Sequence, residues 1–257
     1  MDILEQFKSD LKKLGIKKGD SIMIHCSYKS LGVTISPEDF FESILEVLGP
    51  DGTLILPAFS YDSVNYENPL FDRQKTPSCI GFLPEFFRTK VDGVKRSLHA
   101  THSCAVYGKN TDYLIKDHEK DLTPVGANSP ITKLPEIEGK ILILGSHPDH
   151  NTALHGIEEK GGAPYIFNHD NPIEYLLKDG DKEIRQTALR HYFNRGTYRY
   201  TQEYARIIDL LQKDKDYTFG KVLSADCYLF NAKPLWEIGV AKIKEDPYYF
   251  TEKVNIE

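Results

Sequence analysis

Apolar residues recur along the chain with two spacings, which predict helices and strands in alternation. Helical spacing of three to four residues marks one apolar face in residues 4–14 and another in residues 37–48. Short apolar runs rich in β-branched residues predict buried strands at four places: residues 21–25, 53–56, 103–107 and 140–144. Because strand, helix and strand follow one another between residues 21 and 56, we expect a βαβ unit with a parallel strand pair.

The spacing of apolar residues also predicts the remaining helices and a more polar region after residue 165. Further helices are predicted at residues 81–88, 112–118, 153–159, 201–212 and 232–246. Beyond residue 165 the chain is more polar, and antiparallel strands are predicted around residues 183–190. We therefore expect one α/β domain over residues 1–257, with a mixed, mainly parallel central sheet flanked by helices and a smaller, more antiparallel part after residue 165.

The composition limits the kinds of binding partner and the cellular compartment that we expect. A net charge of −6 argues against a nucleic-acid partner. Cys26, Cys79, Cys104 and Cys227 are far apart without a CxxC pair, which favours reduced thiols over a disulfide scaffold or a zinc ribbon. The sequence has no apolar run of about 18 residues, the length needed to span a membrane. We expect a cytoplasmic protein without a membrane partner, present as a monomer or homodimer.

Residues 145–165, GSHPDHNTALHGIEEKGGAPY, concentrate side chains capable of proton chemistry directly after a predicted buried strand. On the helix predicted there, His155 and Glu158 are three residues apart and lie on one face. The carboxylate can orient the imidazole or stabilise its charge, which is half of an acid–base device. A histidine that is merely satisfied by its helix neighbour would show the same spacing.

Two more polar clusters and one aromatic loop are candidate binding elements. Residues 25–32, HCSYKSLG, follow a strand at the sheet edge where open α/β sheets bind ligands, and their hydroxyls, N–H groups and Lys29 could hold phosphates. Serine and glycine there are also ordinary turn residues. Residues 96–103 place two histidines and two serines beside a guanidinium, and residues 57–72 form a long loop rich in aromatic and acidic side chains.

Taken in order, these segments resemble one family. The runs HCSYKSLG, GPDGTLILPAFSY, TPSCIGFLPEFFR, RSLHATHSCAVYG, VGANSPITKL and ILILGSHPDHNTALHGIEEKGGAPY, between residues 25 and 165, are similar to motifs of the aminoglycoside 3-N-acetyltransferase family, and GKVLSADCYLF near residue 220 resembles its C-terminal part. The resemblance implies a fold unlike the GNAT superfamily and an enzyme that acetylates an amine from acetyl-coenzyme A. Consistent with that, the sequence contains neither a QxxGxG phosphate loop nor a hexapeptide repeat.

The resemblance also implies catalytic roles. His155 of the TxLHxxE motif would be the general base, with Glu158 as its partner. An amine is protonated at neutral pH and must lose a proton before it attacks a thioester, and histidine is suited to accept that proton. The hydroxyl of Thr152 would steady the thioester oxygen as charge develops.

Binding roles follow in the same way. Coenzyme contacts are predicted for Ser27, Lys29, Ser30, Leu31, Gly32, Arg96, Ser97, His99 and Ser103. Acceptor contacts are predicted for Tyr61, Asp72 and Glu159. Residues 165–220, a segment shorter than in the antibiotic-modifying members, would form the acceptor side.

Other readings of the same residues remain open. The acceptor could be an aminoglycoside or an amino sugar carried on a nucleotide, since the loop has Tyr28-Lys29 where the antibiotic enzymes more often have Leu-Ser. A metal-dependent hydrolase could use the cluster of His147, Asp149, His150, His155 and Glu158, although the helix has no HExxH motif and we predict no metal. A non-catalytic sugar-binding module could use the aromatic loop alone.

Overall fold

Helices and strands alternate along the first part of the chain, as the apolar pattern predicts. The computed structural model describes residues 2–256. In chain order the elements are α1 (Ile3–Leu14), β1 (Ser21–Cys26), α2 (Pro37–Leu48), β2 (Thr53–Pro57), β3 (Leu70–Asp72), α3 (Phe82–Lys90), β4 (Lys95–Arg96), β5 (Cys104–Gly108), α4 (Thr111–Ile115), α5 (Pro130–Lys133), β6 (Lys140–Leu144), α6 (Ala153–Gly161), β7 (Ile173–Asp179), β8 (Lys182–Ala188), β9 (Tyr198–Gln202), β10 (Tyr217–Val222), β11 (Ala225–Asn231), α7 (Ala232–Glu245) and β12 (Thr251–Asn255).

A seven-stranded mixed sheet in the order β10-β11-β6-β1-β2-β5-β4 forms the centre of the molecule. The predicted βαβ unit is confirmed, because β1 and β2 pair in parallel. Strand β6 is also parallel to β1. The prediction of a mainly parallel sheet holds only for these three strands, since β11 runs antiparallel to β6 and β5 runs antiparallel to β2. The connections differ accordingly: β10 and β11 form a hairpin, and β5 pairs with β2 after a connection that contains β3, α3 and β4.

The central strands are buried on both faces, which explains their nearly continuous apolar sequences. Successive side chains of β1 point to opposite faces, so Met23 joins one hydrophobic core and Ile22 and Ile24 join the other. On the second face, helix α2 begins as its sequence predicts, with the Ser36 hydroxyl accepting the Asp39 N–H at 3.0 Å. The strand ends are therefore fixed on a rigid frame.

The region after residue 165 is more antiparallel, as predicted, but one helix prediction there is wrong. Strands β7 and β8 form an antiparallel pair, with β3 added in parallel to β7. Instead of a helix over residues 201–212, the structure has the end of β9 followed by a 3₁₀ helix, Tyr204–Leu210. Pairing of β9 with the distant strand β12 prevails over the helical spacing of the local apolar residues. The helix predicted at 112–118 is also shorter, because α4 ends at Ile115.

No helix within residues 2–256 is both long enough and apolar enough to cross a membrane.

The polar cluster at residues 96–103 lies inside the protein. The Arg96 guanidinium donates to the Ser103 hydroxyl at 2.8 Å and to the carbonyl oxygens of Ala58 and Thr76. The Ser97 hydroxyl accepts the Cys104 N–H at 2.8 Å and bonds the His118 ring at 2.8 Å. Each of these polar side chains is at most 4% exposed, so the cluster ties the loops after β2 and before β5 together from within.

The buried guanidinium of Arg96 should be a strong determinant of stability. Arg96→Met removes three internal hydrogen bonds of a buried guanidinium, so we expect the free energy of unfolding in urea to fall by about 3 kcal/mol. Arg185, whose side chain is 74% exposed in its ion pair with Glu174, is the matched control. Arg185→Met should change the free energy of unfolding by about 0.5 kcal/mol or less. Equal effects of the two substitutions would contradict the structural role.

Acid should destabilise the fold through its buried histidines. Burial lowers the pKa of His99 to about 4 and lowers the pKa of His118 well below its ordinary value. Because both rings are neutral in the folded state but titrate near pH 6.5 when unfolded, the stability that they contribute is full above that pH and is lost as the pH falls towards 4. Urea unfolding between pH 7 and pH 4.5 should show this decline. In His118→Gln the slope should be smaller by up to about 1.4 kcal/mol per pH unit, and an unchanged slope would rule out the contribution of His118.

Candidate active site

A cavity of about 730 Å³ opens at the carboxyl ends of β1, β2 and β6. This is the sheet edge at which α/β proteins usually bind ligands. The three strands bring residues distant in sequence to one place, because β1 ends at Cys26, β2 at Pro57 and β6 at Leu144. The lining residues that matter for chemistry are His25, Ser27, Tyr61, Ser146, Thr152 and His155, together with Arg190, His191 and Tyr204 from the region after residue 165.

Helix α6 places His155 in the cavity wall and Glu158 beneath it. The helix begins where the Asn151 side chain accepts the Ala153 N–H at 3.2 Å, and it ends at Gly162, whose φ of 81° lies in the left-handed region. The His155 side chain is 17% exposed, whereas that of Glu158 is 1% exposed. The helix therefore presents the imidazole to the cavity and the carboxylate to the interior.

A tyrosine connects these two side chains. His155 Nδ1 and Glu158 Oε2 are 3.7 Å apart, too far for a good hydrogen bond. Between them, the Tyr204 hydroxyl lies 2.7 Å from each atom. The other carboxylate oxygen of Glu158 accepts the hydroxyl proton of Tyr165.

The tautomer of His155 is assigned from its hydrogen-bond network. Since Tyr204 has one hydroxyl proton and donates it to the Glu158 carboxylate, its oxygen must accept a proton from His155 Nδ1. Burial and the nearby carboxylate raise the pKa of both Tyr204 and Tyr165, so both phenols remain donors at neutral pH. The Nε2 atom of His155, which has no hydrogen-bond partner within residues 2–256, is left as the basic nitrogen on the cavity side.

Three further histidines surround His155, and burial keeps them neutral. Burial lowers the pKa of His25 to about 3, and it lowers the pKa of His102 and His191 well below the ordinary value. The His191 ring packs 4.7 Å from that of His155, and its Nε2 atom lies 2.8 Å from the carboxylate of Glu159. Burial raises the pKa of Glu159 to about 7. These three histidines therefore add little positive charge around His155.

The structure brings one of the predicted coenzyme residues of the first loop to the cavity. Ser27 lines the cavity, and Lys29 is exposed on the 3₁₀ helix Tyr28–Leu31. The Ser30 hydroxyl donates to the Gly145 carbonyl oxygen at 2.8 Å, which joins this loop to the loop after β6. Leu31 is 0% exposed in the core, and Gly32 supplies a left-handed turn with a φ of 73°. Leu31 and Gly32 thus determine the conformation of this loop.

The second predicted coenzyme loop requires a correction. Arg96, Ser97, His99 and Ser103 are at most 4% exposed and do not line the cavity. The polar atoms of the arginine and the two serines are paired within the protein. Their side chains are not available to the phosphates of a coenzyme, and their role is to position the cavity wall behind His102. The sequence showed a polar cluster but could not show that it is buried.

The three predicted acceptor residues also lie in different places. Tyr61 lines the cavity. Asp72 lies outside it and closes a turn, accepting the N–H groups of Gln74 and Lys75 at 2.9 and 3.0 Å. The Glu159 side chain is 7% exposed and lies behind His191.

The residues of the hydrolase alternative do not converge into a metal site. Within residues 2–256 no group of three or more His, Cys, Asp and Glu side chains is arranged to hold a metal ion. His147 is 63% exposed and binds Asp149 at 2.8 Å, away from the tyrosine-bound carboxylate of Glu158. His150 is exposed at the cavity rim.

Several residues of the cavity had no role in the sequence-based prediction. His25 ends a predicted strand at the ligand-binding edge, so its position was a usable signal. Tyr204 and His191 are brought to His155 from 49 and 36 residues further along the chain, respectively, by the fold of the region after residue 165, and no local pattern marks them. Arg190 and Phe193 reach the cavity in the same way.

Comparison with known proteins places the chain in a family. The family model described as aminoglycoside 3-N-acetyltransferase matches residues 23–244. The aminoglycoside N(3)-acetyltransferase III of Pseudomonas aeruginosa is 30% identical over 249 residues, covering 88% of each chain. The SPbeta prophage-derived aminoglycoside N(3')-acetyltransferase-like protein YokD of Bacillus subtilis (strain 168) is 26% identical over 248 residues, covering 88% of this chain and 87% of the relative.

Solved structures show the same fold. The aminoglycoside acetyltransferase AAC(3)-Xa has a TM-score of 0.79 at 26% identity, covering 94% of this chain and 92% of that one. A binary complex of AAC-IIIb with CoASH has a TM-score of 0.79 at 25% identity, covering 94% and 96%. The chain therefore belongs to the aminoglycoside 3-N-acetyltransferase family and is an acyltransferase.

Proposed function

We propose that the protein transfers the acetyl group of acetyl-coenzyme A, the co-substrate of aminoglycoside acetyltransferases, to a primary amine of an amino sugar. The amine attacks the thioester directly, with His155 as the general base. The observation that carries this proposal is the chain His155–Tyr204–Glu158, with 2.7 Å at each step, which leaves the second ring nitrogen of His155 facing the cavity. That arrangement suits a base whose protonated form must be stabilised.

Proton transfer, bond formation and bond cleavage occur in the following order. Nε2 of His155 takes a proton from the acceptor ammonium, and the free amine attacks the carbonyl carbon of the thioester. The imidazolium passes this proton to solvent, which frees Nε2 to take the second proton from the attacking nitrogen as the carbon–nitrogen bond forms. The carbon–sulfur bond then breaks, and the coenzyme leaves as a thiolate that takes this second proton from the imidazolium, so that the products are the neutral amide, the thiol and one proton released to solvent. While the imidazolium exists, the buried carboxylate of Glu158 offsets its charge through Tyr204.

Two hydroxyl groups are suited to the negative charge that develops on the thioester oxygen. Thr152 lines the cavity at the start of α6, and its Oγ1 atom lies 3.4 Å from the neutral ring of His25. The Ser146 hydroxyl lines the same cavity, and it is buried without a hydrogen-bond partner within residues 2–256. A buried donor that lacks a partner is expected to gain one when the substrate binds.

The walls of the cavity suggest how the two substrates divide it. We assign the coenzyme to the wall formed by Ser27 and the loop that carries Lys29, at the end of β1. The acceptor then lies against the opposite wall, where residues 190–204 contribute Phe193 and Tyr204. Tyr61 closes this side. Such a division leaves His155 between the thioester and the amine.

Removal of the base is the primary test of this function. His155→Ala should lower kcat for acetyl transfer by about two to four orders of magnitude and leave the affinity for acetyl-coenzyme A nearly unchanged. Release of coenzyme A thiol measures turnover, and calorimetry measures binding. His169→Ala is the control, since that histidine is exposed and does not line the cavity. Wild-type turnover in a folded His155→Ala protein would reject the assignment.

The tyrosine pair tests whether the connection to Glu158 matters. Tyr204→Phe removes the only hydroxyl that joins His155 to the carboxylate, whereas Tyr165→Phe removes the other donor to Glu158 and leaves that connection intact. We expect kcat to fall by about 10- to 100-fold in Tyr204→Phe and by less than about 5-fold in Tyr165→Phe, with KM values little changed. Equal losses would mean that both hydroxyls act only through stability, which urea unfolding would reveal.

A further inference from the structure

The charges that line the cavity indicate the class of acceptor. Resting on the function proposed above, we propose that the acceptor is an amino sugar that carries a phosphate group, which Arg190 binds, and that a polycationic amine is a poor substrate.

The cavity lining contains little negative charge. Among its residues, Asp149 supplies the one carboxylate. Both of its oxygens are engaged: one accepts the Ala205 N–H at 2.7 Å, and the other lies 2.8 Å from the ring of His147. An amine with several ammonium groups needs several free carboxylates around it, and this wall does not offer them.

The carboxylates behind the wall are also committed. Glu158 accepts hydroxyl protons from Tyr165 and Tyr204. Glu159 accepts the Val125 N–H at 2.9 Å and faces the His191 ring at 2.8 Å. Neither glutamate lines the cavity, so neither can pair with a second ammonium group of an acceptor.

Arg190, in contrast, has unused capacity for an anion. Its guanidinium makes one hydrogen bond within residues 2–256, from Nη2 to the Tyr61 carbonyl oxygen at 3.0 Å, and no carboxylate of those residues lies within 4.0 Å of it. A guanidinium has five N–H donors in a planar fork that matches the oxygens of a phosphate. The side chain is half-buried in the wall, where an unpaired charge is unfavourable and a bound anion would offset it.

The position of Arg190 relates it to the acceptor. It directly precedes His191, whose ring packs 4.7 Å from that of His155. The opposite wall, formed by the end of β1, carries the loop assigned to the coenzyme. A phosphate on Arg190 would therefore be held by the same segment that packs against the base, and the positive charge would also favour the neutral, nucleophilic form of a nearby amine.

A set of acceptors that differ in charge tests the proposal. Thiol release from acetyl-coenzyme A is measured with glucosamine, glucosamine 6-phosphate, UDP-glucosamine and kanamycin. At least one phosphorylated sugar should have kcat/KM about 10- to 100-fold above that of glucosamine, and kanamycin should be the poorest. A higher kcat/KM for the monoester or for the diphosphate tells which kind of phosphate Arg190 accepts. If kanamycin is acetylated best, the acceptor class is wrong although the proposed function stands. If none of the four amines supports thiol release, the proposed function itself fails.

Substitution of the arginine locates the effect. Arg190→Gln should raise KM for the preferred phosphorylated sugar by about 10- to 100-fold, with a much smaller change in KM for acetyl-coenzyme A. Arg190→Lys should recover part of the loss, because it restores the charge without the planar fork. Arg185→Gln, on the exposed face of β8, should resemble the wild type. A comparable rise in KM for acetyl-coenzyme A in Arg190→Gln would assign the arginine to the coenzyme and overturn the proposal.

Discussion

The buried carboxylate of Glu158 is the constraint on which the site depends. A charge with 1% of its side chain exposed is tolerated only where donors surround it, and here the hydroxyls of Tyr165 and Tyr204 donate to it. These two donors come from different parts of the chain, because Tyr165 follows α6 and Tyr204 begins the 3₁₀ helix after β9, and the Tyr204 oxygen in turn bonds the ring of His155 on α6. The hydrogen bonds to this one carboxylate thus connect the region after residue 165 to α6, and the same Tyr204 hydroxyl orients the ring of His155.

The sheet supplies the other half of the arrangement. Parallel strands β1, β2 and β6 end at one edge, so the residues that follow them meet there without further organisation. Behind this edge the network of Arg96, Ser97 and Ser103 holds two loops in place by internal hydrogen bonds. A rigid wall of this kind is what a transferase needs, since small displacements of a base from its substrate cost large factors in rate.

Features that are determined by residues close together in the sequence could be predicted, whereas features that join distant residues could not. Strands β1, β2 and β6, the βαβ unit and the placement of His155 and Glu158 on one helical face are local patterns, and they were predicted correctly. The link through Tyr204 joins residues 46 positions apart, and the pairing of β9 with β12 joins residues about 50 apart, so neither left a local trace. The prediction of a helix over residues 201–212 was wrong for this reason. The serines and histidine of residues 96–103 were misassigned because the sequence gives their polarity but not their burial.

The side chains around His155 affect how readily its ring can accept a proton. The proposed general base must accept a proton, yet four other side chains that line the same cavity can carry a positive charge: His25, His102, His191 and Arg190. Burial keeps the three histidines neutral, so only the arginine retains a permanent charge, and the carboxylate of Glu158 lies on the side of His155 away from the cavity. Without a bound anion, the positive charge of Arg190 would only disfavour protonation of His155. An anionic acceptor of the kind proposed above would compensate this charge, because the bound pair would then be neutral and the imidazolium of the proposed reaction would form beside it.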